Sequence, residues 1–390
     1  MKNRYDSASA ARYDDPLDLR VYTSRLIGED PDLVLHGGGN TSVKIDNTLY
    51  VKGSGWDLST IEAEGFAPVD LETLLSMAAL EKLSDSEMVR LQREAMRRED
   101  APNPSIEAIL HAIIPFRFVD HTHADAVVTL TNTIGGRKMI EELYGKNMLI
   151  VDYVMPGFDL AKEVYAKSRG IDWRSLDGIV LMHHGIFTFD DDAAVSYGRM
   201  IEHVDRAEKY IASRVGETVH ERMEIDEDIL SEAAAVVSAM RGCEVEAYPL
   251  DDRYSSSLAR MEDIAEISRR GGLTPEHVIR IKPFPAIVGD DPRKGVEEFE
   301  VEYKRYFARY AAPEHIMLDP APRWAIVKEK GIIVFAADEK ERKIIGDIVS
   351  HTARAICLAQ EMGGWKSLDY SQLHRMEYWE LEQAKLKKKG

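Results

Sequence analysis

One short stretch, Asp120-His121-Thr122-His123-Ala124-Asp125, constrains this chain more than any other. Apolar pairs flank it, Phe118-Val119 before and Val127-Val128 after, and the whole run reads as a buried strand. Side chains two apart on a strand share a face, so His121 and His123 project together while Thr122 points away. Further along, Ile179-Val180-Leu181-Met182 runs into His183-His184-Gly185, a second strand delivering histidine to a turn. Three imidazoles converging from two strand ends form the ligand set of a catalytic zinc site, with a fourth position open to water or substrate. The alternative is a set of core histidines with a His-His pair in a loop.

The bulk properties narrow the setting. A chain of 390 residues exceeds one small core and suits about two domains. A formal charge of −18 argues against general affinity for nucleic acid or anionic membranes, so an anionic substrate needs a local pocket rich in N–H groups or positive charge. The two cysteines, Cys243 and Cys357, lack ligand or redox spacing, which suggests buried thiols in a reducing compartment. The first residues lack the apolar core of a signal peptide and no run approaches membrane-spanning length, so a cytoplasmic protein is expected.

Periodicity places the elements. Residues 1–35 look mostly helical, with an amphipathic segment around Leu17–Ile27. Strands are expected at Ser42–Ile45 and Thr48–Lys52 around an Asp46-Asn47 turn, and helices over Asp70–Leu80, Asp85–Met96 and Ala193–Ala212. Asn103 and Pro104 look like the cap and first residue of a helix whose apolar stripe is Ile106, Ile109, Leu110 and Ile113. The polar stretch Ser213–Asp228 marks a domain boundary, giving a metal-binding domain over 1–220 and a smaller α/β domain with a tail over 221–390.

The second half carries an apparent repeat. Trp324–Phe335 lines up with Gly178–Phe189, with Lys330 opposite His184, and each stretch is followed by acidic residues and a long helix. Arg280–Val288 can be laid on Asp120–Val128 more weakly, which puts Ile281 and Pro283 opposite the two strand histidines. Strands are therefore expected at Ile279–Ile281, Ala325–Val327 and Ile332–Phe335, then a helix over Lys340–Gln360, in a degenerate copy without metal. Lys282 and Lys330 are expected to be solvated unless one reaches an anion pocket. Chance pairing within an αβ protein is the competing explanation.

Three segments have the composition of anion cradles. In Gly39-Asn40-Thr41-Ser42 and Gly53-Ser54-Gly55, glycines let backbone N–H groups approach an oxyanion and hydroxyls add donors. Ser105 is expected at a helix start, where free N–H groups favour negative charge. Glu107 follows in the first turn. It is either a general base beside the metal or a carboxylate that merely suits a helix start.

Taken in order, Gly39–Ser42, Gly53–Gly55, Pro104-Ser105-Ile106-Glu107, His121-Thr122-His123 and His184-Gly185 resemble the class II aldolase/adducin family over roughly residues 10–215. That family includes L-fuculose-1-phosphate and L-rhamnulose-1-phosphate aldolases and L-ribulose-5-phosphate 4-epimerase. His36–Lys44, Val51–Leu58, His121–Asn132, Pro156–Lys162 and the tail Met376–Lys385 are similar to the aldolase part of bifunctional rhamnulose-1-phosphate aldolase/alcohol dehydrogenases; no G-x-G-x-x-G segment for a fused dehydrogenase follows. The resemblance implies a three-layer α/β/α sandwich in which His121, His123 and His184 hold Zn²⁺ and Glu107 is the acid/base. It implies that Asn40, Ser54, Gly55 and Ser105 bind the phosphate of a small sugar substrate, and that the chain forms a homo-oligomer. Phosphosugar aldolases tend to have a second serine where Ile106 stands, so one phosphate donor is missing here. The expected reaction is cleavage of a ketose 1-phosphate to dihydroxyacetone phosphate and an aldehyde. A 4-epimerase, a decarboxylase and a non-catalytic adducin-like module are the alternatives.

Overall fold

A computed structural model describes all residues except Gly37, 217–223 and 388–390. The chain divides into two compact units, one formed by Met1–Thr131 with Arg137–Tyr210, the other by Asn132–Gly136 with Ile211–Gly390. The expected boundary at 220/221 lies outside the described residues.

The first unit is built on seven strands: β1 (Asn40–Ile45), β2 (Thr48–Lys52), β3 (Phe66–Asp70), β4 (Phe118–Thr122), β5 (Met148–Val151), β6 (Gly178–Leu181) and β7 (Gly185–Asp190). Their order is β3-β2-β1-β4-β7-β6-β5, so the histidine strand β4 lies at the centre, between β1 and β7. Every pairing is antiparallel except that of β5 with β6. One face carries Val51, Val119, Leu181, Phe187 and Phe189, packed beneath the helices Leu71–Ala78, Ala108–Ile113 and Phe158–Ser168. The other face is covered by Pro16–Gly28 and Ala193–Ala212, which makes the expected three layers. Helix content before residue 35 is smaller than the sequence suggests, only Ser7–Ala10 and Pro16–Gly28.

Alternation along β4 separates two chemistries. His121 faces the helix Ala108–Ile113, whereas Asp120 on the opposite face pairs with Arg20 at 2.6 Å, both side chains fully buried. Ser196 Oγ donates to the second Asp120 oxygen at 2.5 Å. A buried pair of this kind contributes little net stability when intact, but removing one partner costs about 3–5 kcal/mol.

Two local expectations change. The apolar pair Val127-Val128 belongs to a buried helix, Asp125–Thr131, because the chain leaves the sheet after Thr122; a short apolar run fits a buried helix as well as a strand. Residues 103–105 do not begin a helix. Ser54 N donates to Asn103 O (2.7 Å), Ser105 N donates to Lys52 O (3.0 Å), and Pro104 bridges Gly53, so the segment is drawn out beside the end of β2. The helix starts at Ala108 with Glu107 in the cap position, so Ser105 lies before the helix and not at its N-terminus as expected.

Among the described residues the second unit has four strands: β8 (Glu246–Leu250), β9 (Ala286–Val288), β10 (Trp324–Val327) and β11 (Gly331–Ala336), in the order β8-β11-β10-β9. Its core joins the helices Glu227–Arg241 and Pro292–Tyr310 to one sheet face, while Arg253–Ala259 and Glu339–Glu361 pack on the other. Strands β10 and β11 and the last long helix lie where the sequence places them. Ile279–Ile281 is not a strand; Val278–Ile281 is helical, and the strand begins only at Ala286. Proline on both sides of Phe284 delays sheet pairing until that point. Cys357 is buried as expected, with its thiol pushed up to about 12 by burial, then by Asp252 and Glu361, whereas Cys243 is exposed. Among the described residues no helix is long and apolar enough to cross a membrane.

Candidate metal centre

Strand β4 delivers His121, and His123 follows one residue beyond its end. The hairpin β6–β7 delivers His184 through a turn closed by His184 N donating to Leu181 O at 3.1 Å. His183 takes the left-handed conformation there (φ 60°), and its N–H donates to Thr131 Oγ1 at 3.1 Å. The turn therefore presents His184 to the site, and His183 is not one of the grouped ligands. One donor atom from each of His121, His123 and His184 lies within 4.8 Å of the others. Gly185 makes that approach possible. A Cβ there would sit 2.3 Å from Thr122 O, 3.0 Å from His121 Cε1 and 3.2 Å from His123 Cδ2.

These donors fit a divalent metal. His121 Nδ1 donates to Ile186 O at 3.1 Å, which leaves the lone pair on Nε2, and its ring stacks on Phe187 at 3.9 Å. Nε2 of His121 and of His123 are 3.1 Å apart. Two donors of a tetrahedral ion with bonds of roughly 2.0–2.1 Å are about 3.3 Å apart, so the imidazoles already stand at ligand spacing. Glu107 closes another side, with Oε2 3.4 Å from His121 Nε2 and Oε1 3.6 Å from His184 Nε2. The carboxylate is almost fully buried.

The four residues expected to hold an anion fall into two groups. Ser54 and Gly55 are exposed, and the backbone bonds between 52–54 and 103–105 bring them beside the half-buried Ser105. Ser105 Oγ accepts from Glu107 N at 3.3 Å, so this rim adjoins the carboxylate. Asn40 lies deeper. Its Nδ2 donates to Glu107 Oε2 at 2.6 Å and its Oδ1 meets His111 Nε2 in a short hydrogen bond.

Lys44 and His111 escaped the sequence reading, and Ser42 was read only as part of an anion cradle. Asn40, Ser42 and Lys44 alternate along β1 and share one face, turned toward the Glu107 helix. Ser42 Oγ lies 2.8 Å from His111 Nδ1, and Lys44 Nζ donates to the carbonyls of His111, Ile114 and Phe116, each at 2.8 Å. Lys44 thus caps the helix end opposite Glu107. Burial pushes its ammonium down to about 7, with Asp191 opposing the shift. The available signal was His111 itself, which falls one helical turn after Glu107 and so on the same side of the helix.

A family model described as Class II Aldolase and Adducin N-terminal domain matches residues 19–211, and one described as Aldolase class II, second domain, matches 225–386. The chain belongs to the class II aldolase family. Its metal-centre unit resembles the N-terminal class II aldolase domain of a conserved protein from Thermoplasma acidophilum, at 41% identity over 54% of this chain and 99% of that one, with a TM-score of 0.50. L-fuculose-1-phosphate aldolase from Thermus thermophilus is 17% identical, covering 50% of this chain and 95% of its own, with a TM-score of 0.35. The uncharacterized oxidoreductase YuxG of Bacillus subtilis is 29% identical over 99% of this chain; this chain spans 60% of that relative's length. Both halves of the chain are thus matched by models of this family, including the unit without the three grouped histidines.

Proposed function

We propose that the chain is a zinc-dependent aldolase that cleaves a ketose 1-phosphate, rhamnulose-1-phosphate-like, to dihydroxyacetone phosphate and an aldehyde. The observation that carries this reading is the convergence of three histidine donors within 4.8 Å on a buried carboxylate, beside a serine- and glycine-lined rim. His121, His123 and His184 hold the metal. When bound, zinc would supply Lewis-acid polarisation of the substrate's ketone and hydroxyl oxygens. Ser54, Gly55 and Ser105 bind the phosphate at the rim, with Asn40 at its inner edge. Glu107 carries the proton at C3. In the cleavage direction the C3–C4 bond breaks and its electrons remain on C3; the Glu107 carboxylate takes up the proton that the C4 hydroxyl loses as the aldehyde forms, delivers it to C3, and ends as it began. A non-catalytic adducin-like module would have no use for the histidine group and Glu107 together.

The test is zinc-loaded protein incubated with a panel of ketose 1-phosphates while dihydroxyacetone phosphate is followed by a coupled reduction. Release of that product with the first-order dependence on enzyme expected of a catalyst supports the proposal. Epimerisation without triose phosphate would transfer the site to 4-epimerase chemistry, and carbon dioxide release from a sugar acid would transfer it to decarboxylation.

A further inference from the structure

The hydrogen bonds behind Glu107 run in one direction. The Asn40 amide turns Nδ2 toward Glu107 Oε2 at 2.6 Å, so this oxygen accepts. Oδ1 of Asn40 then faces His111 Nε2, which must donate. That assigns the proton of the neutral ring to Nε2 and leaves Nδ1 to accept from the Ser42 hydroxyl at 2.8 Å. The ring is fully buried and lies edge-on to Phe187 at 5.4 Å. Burial, reinforced by His121, Lys44 and Arg20, holds His111 well below the ordinary histidine range, so the neutral ring is the relevant one.

We propose that His111, acting through Asn40, is a positioning residue for Glu107. The chain from Ser42 through His111 and Asn40 pins Oε2 as a permanent acceptor and presents Oε1 as the oxygen that exchanges a proton with substrate. This rests on the reading of Glu107 as the acid/base. It also gives Asn40 a role beyond phosphate binding. Without the chain the carboxylate can twist about its Cγ–Cδ bond, away from the orientation that aims one oxygen at the substrate. Lys44, bonded to the far end of the same short helix, keeps the donor and the carboxylate in one rigid frame.

The first measurement uses the unaltered, zinc-loaded chain: long-range nitrogen–proton correlation spectra of histidine-labelled protein should show His111 as the Nε2–H tautomer. An Nδ1–H tautomer would overturn the proposal without any variant. The second compares His111→Phe, His111→Gln and Glu107→Gln for zinc content, melting, kcat and KM. The Phe variant should keep zinc and KM while kcat falls ~10–100-fold, the usual effect of removing a partner that orients a reacting group. The Gln variant, which keeps an N–H donor for Asn40, should recover most of the loss. Equal losses in both variants, tracking melting, would make His111 mere filler and sink the idea. An inactive Glu107→Gln with a fully active His111→Phe removes the positioning role alone. A fully active Glu107→Gln removes the acid/base reading beneath it.

Discussion

The hairpin β6–β7 and the hairpin β10–β11 are the same piece of structure with different chemistry. Gly185 pairs with Leu181 as Gly331 pairs with Val327, and each turn closes through the same bond, His184 N to Leu181 O and Lys330 N to Val327 O. The residue before each closing position is left-handed, His183 at φ 60° and Glu329 at φ 61°. Outward from the hairpins the match continues. Strands β4 and β8 pair antiparallel with the second hairpin strand, β5 and β9 parallel with the first, giving β4-β7-β6-β5 and β8-β11-β10-β9. Register then puts Pro249 in the place of His121 and Lys330 in the place of His184. The counterpart of the histidine strand is β8, and the weak alignment onto Arg280–Val288 is discarded. The difference teaches that the turn is a scaffold indifferent to its cargo: one copy aims an imidazole into a site, while the other sends Lys330 to a surface ion pair with Asp226.

The largest effect that would sharpen this comparison is metal loss. His184→Ala should remove zinc from the purified chain, whereas His183→Ala and Lys330→Ala should leave about one ion per chain by elemental analysis. Loss of metal in the Lys330 variant would break the contrast. Next, Glu107→Gln should keep fold and metal yet lose roughly two to four decades of turnover, as for a positioned proton carrier. A helix-start carboxylate without chemistry predicts only a melting shift of about 1 kcal/mol or less.

The paired glycines should respond unequally. Gly185→Ala drives a methyl against Thr122 O and two ligand rings, so both metal affinity and stability should drop, the latter by about 3 kcal/mol. At Gly331 the nearest atom is Ile225 Cδ1 at 3.4 Å and the strain is one of backbone, φ +135°, so stability alone should fall, by about 1–3 kcal/mol. Titrating metal into both variants decides the matter. The smallest effect concerns acid. His374 in the second unit, buried among Tyr306, Tyr378 and His315, is pushed down to about 4 by burial and then by His315. A depressed folded value means stability present above about 6.5 and lost as pH falls toward 4. His374→Phe should therefore flatten the acid decline of the second unit's melting by roughly 2 kcal/mol at pH 5.

The sequence made some of this legible and hid the rest for physical reasons. The turn glycine and the two histidine segments follow from strand alternation and from apolar runs that end in breakers, whereas the three layers were implied by the family resemblance. Val127-Val128 misled because burial on all sides erases the difference between strand and helix patterns. Asn103-Pro104 carries a helix-start signal that backbone pairing with Lys52 and Gly53 overrides. Lys282 was expected in solvent but is buried, pushed down to about 8 by burial, with Nζ 3.0 Å from Tyr303 Oη and 3.6 Å from Glu377. Nothing near Lys282 in sequence announces partners contributed from far along the chain. His111 was hidden the same way, since its partners lie on β1.

The Arg20–Asp120 pair has a consequence for when the metal site forms. Asp120 and His121 are neighbours on opposite faces of β4, so a slip of one residue would exchange them. The slipped strand would bury Arg20 against an imidazole and leave its charge uncompensated, at a cost of several kcal/mol. Misregistered sheets are thus rejected by a charge that never touches the ligand set. The spacing of the three histidines is set by strand pairing and by the β6–β7 turn. A chelator should therefore strip this protein to a folded, silent form that zinc restores at once, without a refolding delay.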